Sequence, residues 1–554
     1  MEMTIKKNVY INRQSKEQKC RFKVNANTVS CVKNILRTNK SNDALARLME
    51  YNDVMMKWLD GDEANMQMFF ENPIAAFKKA TNAPDELLEA CKSITQDDIM
   101  SLLPQRETAV KPDDVNLRAI PNVNSTYIDY SQGWDFVSGI TQKNANTVLG
   151  YFFKDLSIKF HHTTSFSIFG ISVKLNLDGI FGIPQIKGGT GSNVSIEIPI
   201  TSGTAKINDS TTLSLNGVKF SFTTTLTEIE SSLKSEQGGK LYDYYINFTD
   251  KKLITEVQLS NLSGTKEMLS LVKDKLIDAM NMAFAGKEYK LFSVNLNGID
   301  KDYPYMVPTH VKYAFVESQN PDDNVIGVLV QTNGERSKTI QLDANTIPKN
   351  CGASVILSNR LAVDGLLRSM AKKEIGMTDD NITVEGLPRV LSAKKTFNFK
   401  EKVKGYTPQI NKLKLWFADD LLHMELGVRV VPSAGLNIDY SVQATFSHKI
   451  TTVTDKNGMK VQTIVFQKEY YHEDKEVSAN WWVWLLAVLI SGVGAIIVLI
   501  TLAIINLISP SLEHSVFKSA LVKIDWNHMD IVEIQHLNTS GHIQIGAKVT
   551  LQVR

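Results

Sequence analysis

In IQIGAKVTLQV (residues 543–553) every second side chain is apolar. Ile543, Ile545, Ala547, Val549, Leu551 and Val553 alternate with Gln544, Gly546, Lys548, Thr550 and Gln552. A period of two with one wet face predicts a half-buried strand of an antiparallel sheet. The same texture recurs upstream. Ile171, Val173, Leu175 and Leu177 alternate with polar residues, as do Leu213 and Leu215, then Val218, Phe220 and Phe222 around Asn216-Gly217. Leu422, Met424, Leu426 and Val428 repeat it once more. From residue 126 onward the chain therefore reads as a large β-rich domain.

Helical spacing interrupts the strands. Over 264–285, Leu269, Val272, Leu276, Met280 and Ala283 fall on one stripe, which predicts an amphipathic helix. Over 357–375, Leu361, Leu366, Leu367 and Met370 are the apolar positions of a second helix. Gly133-Trp134 reads as the opening of a helical run that carries Val137, Val148, Leu149 and Phe152. The fold class expected is α+β.

Residues 1–104 differ from the rest. Ten Lys/Arg in the first forty residues face only Glu2 and Glu17, which predicts a solvated basic arm or an arm that docks on an acidic partner or anionic lipid. Residues 42–103 carry helix-spaced Leu45, Leu48, Met55 and Leu59, breaks at Asn72-Pro73 and Ala83-Pro84, and a helix start at Pro84-Asp85-Glu86. An N-terminal all-α domain over 1–104, a linker over 105–125 and a β-rich domain over 126–554 are the expected organisation.

The run from Trp481 to Ile508 has 28 residues without a charge. As one helix it would be about 42 Å long, beyond a hydrocarbon core of roughly 30 Å. Ser491-Gly492-Val493-Gly494 offers a turn near its middle, and splitting there leaves pieces of 11 and 14 residues. The strand at 543–553 must return to the sheet, which a helical hairpin permits and a single span does not. A core hairpin, a surface element that meets lipid or a partner, and a span remain as readings.

Charge and motif content exclude several classes. With 61 basic and 59 acidic residues, binding of nucleic acid by bulk positive charge is not expected. Four cysteines, Cys20, Cys31, Cys91 and Cys351, form no CxxC or Cys/His set, so neither a disulfide scaffold nor a zinc site is expected. No GxSxG, HExxH, Walker A or GxGxxG sequence is present. Lys187–Ser192 (KGGTGS) reads as a loop between strands. Adjacent His161 and His162 would point to opposite faces of a strand, and His472-Glu473-Asp474 reads as a polar loop. MEMTIKKNVYINRQSKEQKC has no apolar stretch, so no Sec-type signal is expected. Residues 389–414 carry Arg389, Lys394, Lys395, Lys400, Lys402, Lys404, Lys412 and Lys414 against Glu401. They suit a wet strand face or an anionic membrane surface.

Gly133-Trp134-Asp135, the long β-rich body, CGASVILSNRLAVDGLLRS (351–369) and the glycine-punctuated apolar run before the final strands together resemble the clostridial OrfX and P-47 type proteins of botulinum-type and insecticidal neurotoxin gene clusters. The resemblance covers about 126–554. It implies a TULIP (tubular lipid-binding, BPI/SMP-like) fold, in which a highly curved antiparallel sheet wraps around long helices and leaves an apolar groove. It also implies a cytoplasmically made protein released by a non-classical route, with no catalytic residues, cofactor or metal. The ligand implied is a phospholipid or fatty acid, and other toxin-complex proteins are possible partners. The groove would be lined by Trp134, Leu269, Val272, Leu276 and Met280. Trp481, Trp482 and Trp484, with Lys394, Lys395, Lys400 and Lys402, would meet a membrane interface. Two alternatives stand beside this reading: a membrane-inserting toxin that uses 481–508, and a scaffold whose groove is filled by side chains.

Overall fold

The computed structural model describes residues 9–13, 16–23, 43–92 except 63, 66–67 and 70–71, and 129–551 except 169–170, 209, 232–237, 251, 288, 299–303, 333–338, 401–406, 434–435, 455–459 and 479–523. The proposed linker at 105–125 and the apolar run with Trp481, Trp482 and Trp484 lie outside the described residues, as does Lys402. The chain packs as two compact units. One comprises 1–127, 366–449 and 465–512, and the other 128–365, 450–464 and 513–554.

In the first unit, helices Asp43–Glu50, Asn52–Gly61, Pro73–Thr81 and Asp85–Cys91 form as the spacing predicts. Asn72 accepts the Ala75 N–H at 3.0 Å, with Pro73 at the first helical position, an N-cap that satisfies a backbone donor the helix cannot. Leu48, Met55, Leu59, Phe77, Leu87, Leu88 and Cys91 are buried. The first hundred residues are not helical throughout, however. Val9–Arg13 and Lys16–Lys23 form an antiparallel hairpin, and its second strand pairs parallel with Tyr471–Ser478. The described part of the basic arm, Val9–Arg13 and Lys16–Lys23, is therefore a sheet edge, and His472-Glu473-Asp474 belongs to the strand Lys460–Ser478. The register sets Lys19 opposite Asp474 and Arg21 opposite Glu476. The hairpin edges a nine-stranded sheet that continues through Leu436–Thr454, Leu421–Ser433 and Gln409–Ala418.

The second unit holds two antiparallel sheets. The ten-stranded one runs from Ile524–Trp526 through Tyr289–Leu296, Lys240–Ile246, Lys219–Glu230, Asn193–Ile207 and Ile171–Phe181 to Ile158–Ile168. Within it, Gln185–Thr190 is a strand rather than a loop and pairs with Asn193–Ile207. The six-stranded sheet has the order His310–Val316, Val325–Gln331, Phe136–Thr141, Ala353–Leu357, Ile543–Leu551, Met529–Asn538.

Two expectations change here. The segment after Gly133-Trp134 is a strand, Phe136–Thr141, and the helix follows only at Gln142–Phe153. All six strand residues are buried, and Phe-Val-Ser-Gly-Ile-Thr suits a central strand covered on both faces, which loses the period-two signal. The final strand is likewise buried on both faces over Ile543–Ala547. Gln544 survives there because its side-chain amide donates to the carbonyls of Asn345 (2.7 Å) and Thr346 (3.0 Å).

One buried ion pair ties this sheet together. Asp135 has 4% of its side chain exposed and pairs with Arg360, whose Nε donates to Asp135 Oδ1 at 2.6 Å. The Thr332 N–H and hydroxyl donate to Asp135 Oδ2 at 2.9 and 3.1 Å. Removing one partner of such a pair strands a buried charge. Arg360→Ala is expected to lower unfolding stability by about 3 kcal/mol. Arg368→Ala, which breaks the exposed Arg368–Asp379 pair, is expected to cost clearly less, because an exposed pair is solvated whether or not it forms. Urea midpoints for the two variants test this, and equal losses would refute the ranking.

Candidate functional site

The stripe predicted over 264–285 is a helix, Lys266–Ala283. The Thr265 side chain accepts the Met268 N–H at 3.4 Å, and Lys287 donates to the Ala283 carbonyl at 2.7 Å. These contacts satisfy both helix ends, with the cation at the negative end of the dipole. Val272, Leu276, Ala279, Met280 and Ala283 are buried, while Leu269 is half-buried. The helix lies against Ile158–Ile168, Ile171–Phe181 and Thr255–Ser260 of the ten-stranded sheet.

Its C-terminal end enters a cluster of aromatic rings. Phe284 packs against Phe248 at 4.6 Å, Phe181 at 5.7 Å and Phe153 at 6.0 Å between ring centroids. Phe181 in turn meets Phe160 at 4.5 Å. Sequence reading did not single out Phe160, Phe181, Phe248 or Phe284 for this site. They come from four separate segments, so only the fold assembles them. Along the helix flank, Lys275 pairs with Asp278 at 3.1 Å, and His162 Nε2 lies 3.8 Å from the same carboxylate. Adjacent His161 is exposed and pairs with Asp178, so the two histidines do face opposite ways.

Trp134 is not among the helix neighbours in its core cluster. It is fully buried with Val137, Ala314, Val325, Leu329, Leu342 and Ile356, the core of the six-stranded sheet. Its indole N–H donates to the Thr339 carbonyl at 3.0 Å. In the first unit, Lys394 and Lys395 are exposed in the turn after Val390–Ala393. Lys400 donates to the Lys373 carbonyl at 2.7 Å and so closes a helix end. Lys412 and Lys414 lie 2.7 and 3.9 Å from buried Glu425, so part of the basic stretch is neutralised within its own sheet.

A polar cleft of about 600 Å³ opens at the start of Gln142–Phe153, with Lys143, Asn146, Gln185, Lys187 and Asp322 on its walls. Its cations already have acids in reach, Lys143 with Asp322 (3.9 Å) and Lys187 with Glu197 (3.6 Å). Burial pushes the Cys91 thiol up to about 11 and also raises Cys351, so neither supplies a thiolate at neutral pH. Among the described residues, no three His, Cys, Asp or Glu side chains converge as a metal site. Nor is any described helix long and apolar enough to cross a membrane.

The helix stripe is a packing surface of stated depth. Leu276→Ala is expected to cost about 2–5 kcal/mol, because Leu276 is fully buried. Leu269→Ala should cost clearly less. Denaturant unfolding of both variants reads this, and the reverse order would place the buried face elsewhere.

Comparison with known proteins agrees with this architecture. A family model described as OrfX-like, "Protein OrfX2/OrfX3/P47", matches residues 131–512. A protein named OrfX3 from Clostridium botulinum (strain Kyoto / Type A2) is 24% identical over 48% of this chain and 63% of its own length. The chain thus spans just under two thirds of that relative. A protein named OrfX3 from Paraclostridium bifermentans is 24% identical over 67% of this chain and 90% of its own. The solved structures of P47 from Clostridium botulinum A2 and E1 superpose with TM-scores of 0.56 and 0.55, each at 18% identity. They cover 76% of this chain and 98% and 100% of their own. The structural likeness speaks to fold.

Proposed function

Because the chain belongs to the OrfX-like family, we propose that it is a non-enzymatic protein that binds lipid or another apolar ligand and acts at membranes as a component of a toxin-associated bacterial system. The observation that carries this reading is the amphipathic helix Lys266–Ala283 laid along the ten-stranded antiparallel sheet. A helix set against a large sheet in the TULIP manner leaves an apolar channel wherever side chains fail to meet. An acyl chain entering it gains about 0.8 kcal/mol per buried CH₂. The charge-free run 481–508 gives the same protein a segment suited to a bilayer interface.

A second reading has an observation of its own. Val272, Leu276, Met280 and Phe284 are all fully buried by the protein's own atoms, which suits a scaffold whose groove is filled by its own side chains. In that case recognition falls to the helices at 43–91 or to 481–508.

Native mass spectrometry after mild purification, followed by organic extraction, separates the two. A phospholipid or fatty acid at near-stoichiometric amount is the expected result, and a clean unliganded mass would favour the scaffold. Flotation with liposomes is expected to be lost when 481–508 is deleted. Equal flotation by the deletion variant would remove that segment from the mechanism.

A further inference from the structure

The strand Ile158–Ile168 closes one end of the ten-stranded sheet, and among the described residues its only strand partner is Ile171–Phe181. An open sheet edge is a row of unpaired backbone donors and acceptors, which proteins blunt with short strands, bulges, charge or proline. The other ends of the three strand orders are treated so. Val9–Arg13, Ile382–Glu385 and Ile524–Trp526 have five, four and three residues. Met529–Asn538 has two register shifts against its neighbour. In His310–Val316 the Phe315 N–H already donates to the Gly191 carbonyl at 2.6 Å. Ile158–Ile168 runs instead for 11 residues without glycine or proline. Its register with Ile171–Phe181 is unbroken. Its one lysine is Lys159, and His161 pairs with Asp178 on the neighbouring strand.

The apolar pattern of this edge, IKFHHTTSFSI, reads the same in both directions. Ile158 and Phe160 stand as far before Thr163 as Ile168 and Phe166 stand after it. Two such strands laid antiparallel and centred on Thr163 set Phe160 opposite Phe166, His161 opposite Ser165, Lys159 opposite Ser167 and Thr163 opposite itself. Aromatic and threonine pairs are favourable across strands, and no like charges meet in this register. The faces agree as well. Lys159, His161, Thr163, Ser165 and Ser167 are exposed, while Phe160 is buried and Phe166 half-buried on the other side. Each pair joins two positions of the same face, so both copies keep their wet side to water.

We propose that this edge pairs with the same edge of a second copy of the chain, giving a twofold dimer in which two ten-stranded sheets run on as one. Backbone hydrogen bonds along the edge supply the attraction, and the symmetric register selects the partner. One strand pair is a small interface, so the dimer is a reversible one. It does not depend on whether the helix Lys266–Ala283 encloses a lipid.

Sedimentation velocity of the full-length chain over roughly 1–100 μM tests it. A monomer–dimer equilibrium is expected. Thr163→Lys and Thr163→Glu each set like charges against one another across the twofold, at an exposed position. Each is expected to weaken the dimer about threefold or more. An equimolar mixture of the two variants is expected to recover it, since opposite charges then meet. Circular dichroism melts check that each variant remains folded. A second readout is oxidative crosslinking. Thr163→Cys is expected to link to its own copy, whereas Lys159→Cys, set opposite Ser167, is not. A monomer throughout, a dimer indifferent to both charged variants, or a mixture no more dimeric than its components would overturn the proposal. Equal crosslinking of the two cysteine variants would do the same.

Discussion

The Asp135 carboxylate is the point on which the six-stranded sheet hangs. It sits where three central strands begin or end, and its backbone is held as firmly as its side chain. The Asp135 N–H donates to the Val330 carbonyl at 3.1 Å, and its own carbonyl accepts the Ser358 N–H at 2.9 Å. Arg360 reaches back to the carboxylate and to the Thr332 hydroxyl at 3.1 Å. A buried charge with several donors around it tolerates few other arrangements, because any slip in register leaves it unpaired in a medium of low dielectric. The bonds therefore set alignment more than they add stability. Gly133-Trp134-Asp135 and the segment 351–360, which stand more than two hundred residues apart, are two halves of one joint.

What was legible in the sequence follows from how each element is solvated. Lys266–Ala283 keeps one wet face, so its stripe announces itself, and so does Ile171–Phe181. Phe136–Thr141 is covered on both faces, and its pattern collapses into a short apolar run that a helix could equally carry. The hairpin Val9–Lys23 was unreadable for another reason. Its place is fixed by a partner strand 455 residues further on, and nothing local to either strand names the other. The candidate site divides the same way. The helix stripe was visible, whereas the aromatic cluster around Phe284 exists only through pairing across strands.

Helix and sheet also compete for the same space. Every side chain that seals the helix onto the sheet adds stability and removes room for a guest. Fully buried Val272, Leu276 and Met280 stand at the sealed extreme, and half-buried Leu269 and exposed Met282 (63% accessible) mark where the seal loosens. The two functional readings differ in where along this helix the sealing stops.

The parallel pairing of Lys16–Lys23 with Tyr471–Ser478 has a consequence for biosynthesis. At about 5–20 residues per second, the ribosome needs roughly 20–90 seconds to deliver the second strand after the first has emerged. Through that interval the N-terminal hairpin presents an unpaired edge that other chains could extend. Lysine and arginine on an open edge oppose its extension by another strand, and Arg13, Lys16, Lys19, Arg21 and Lys23 stand on this one.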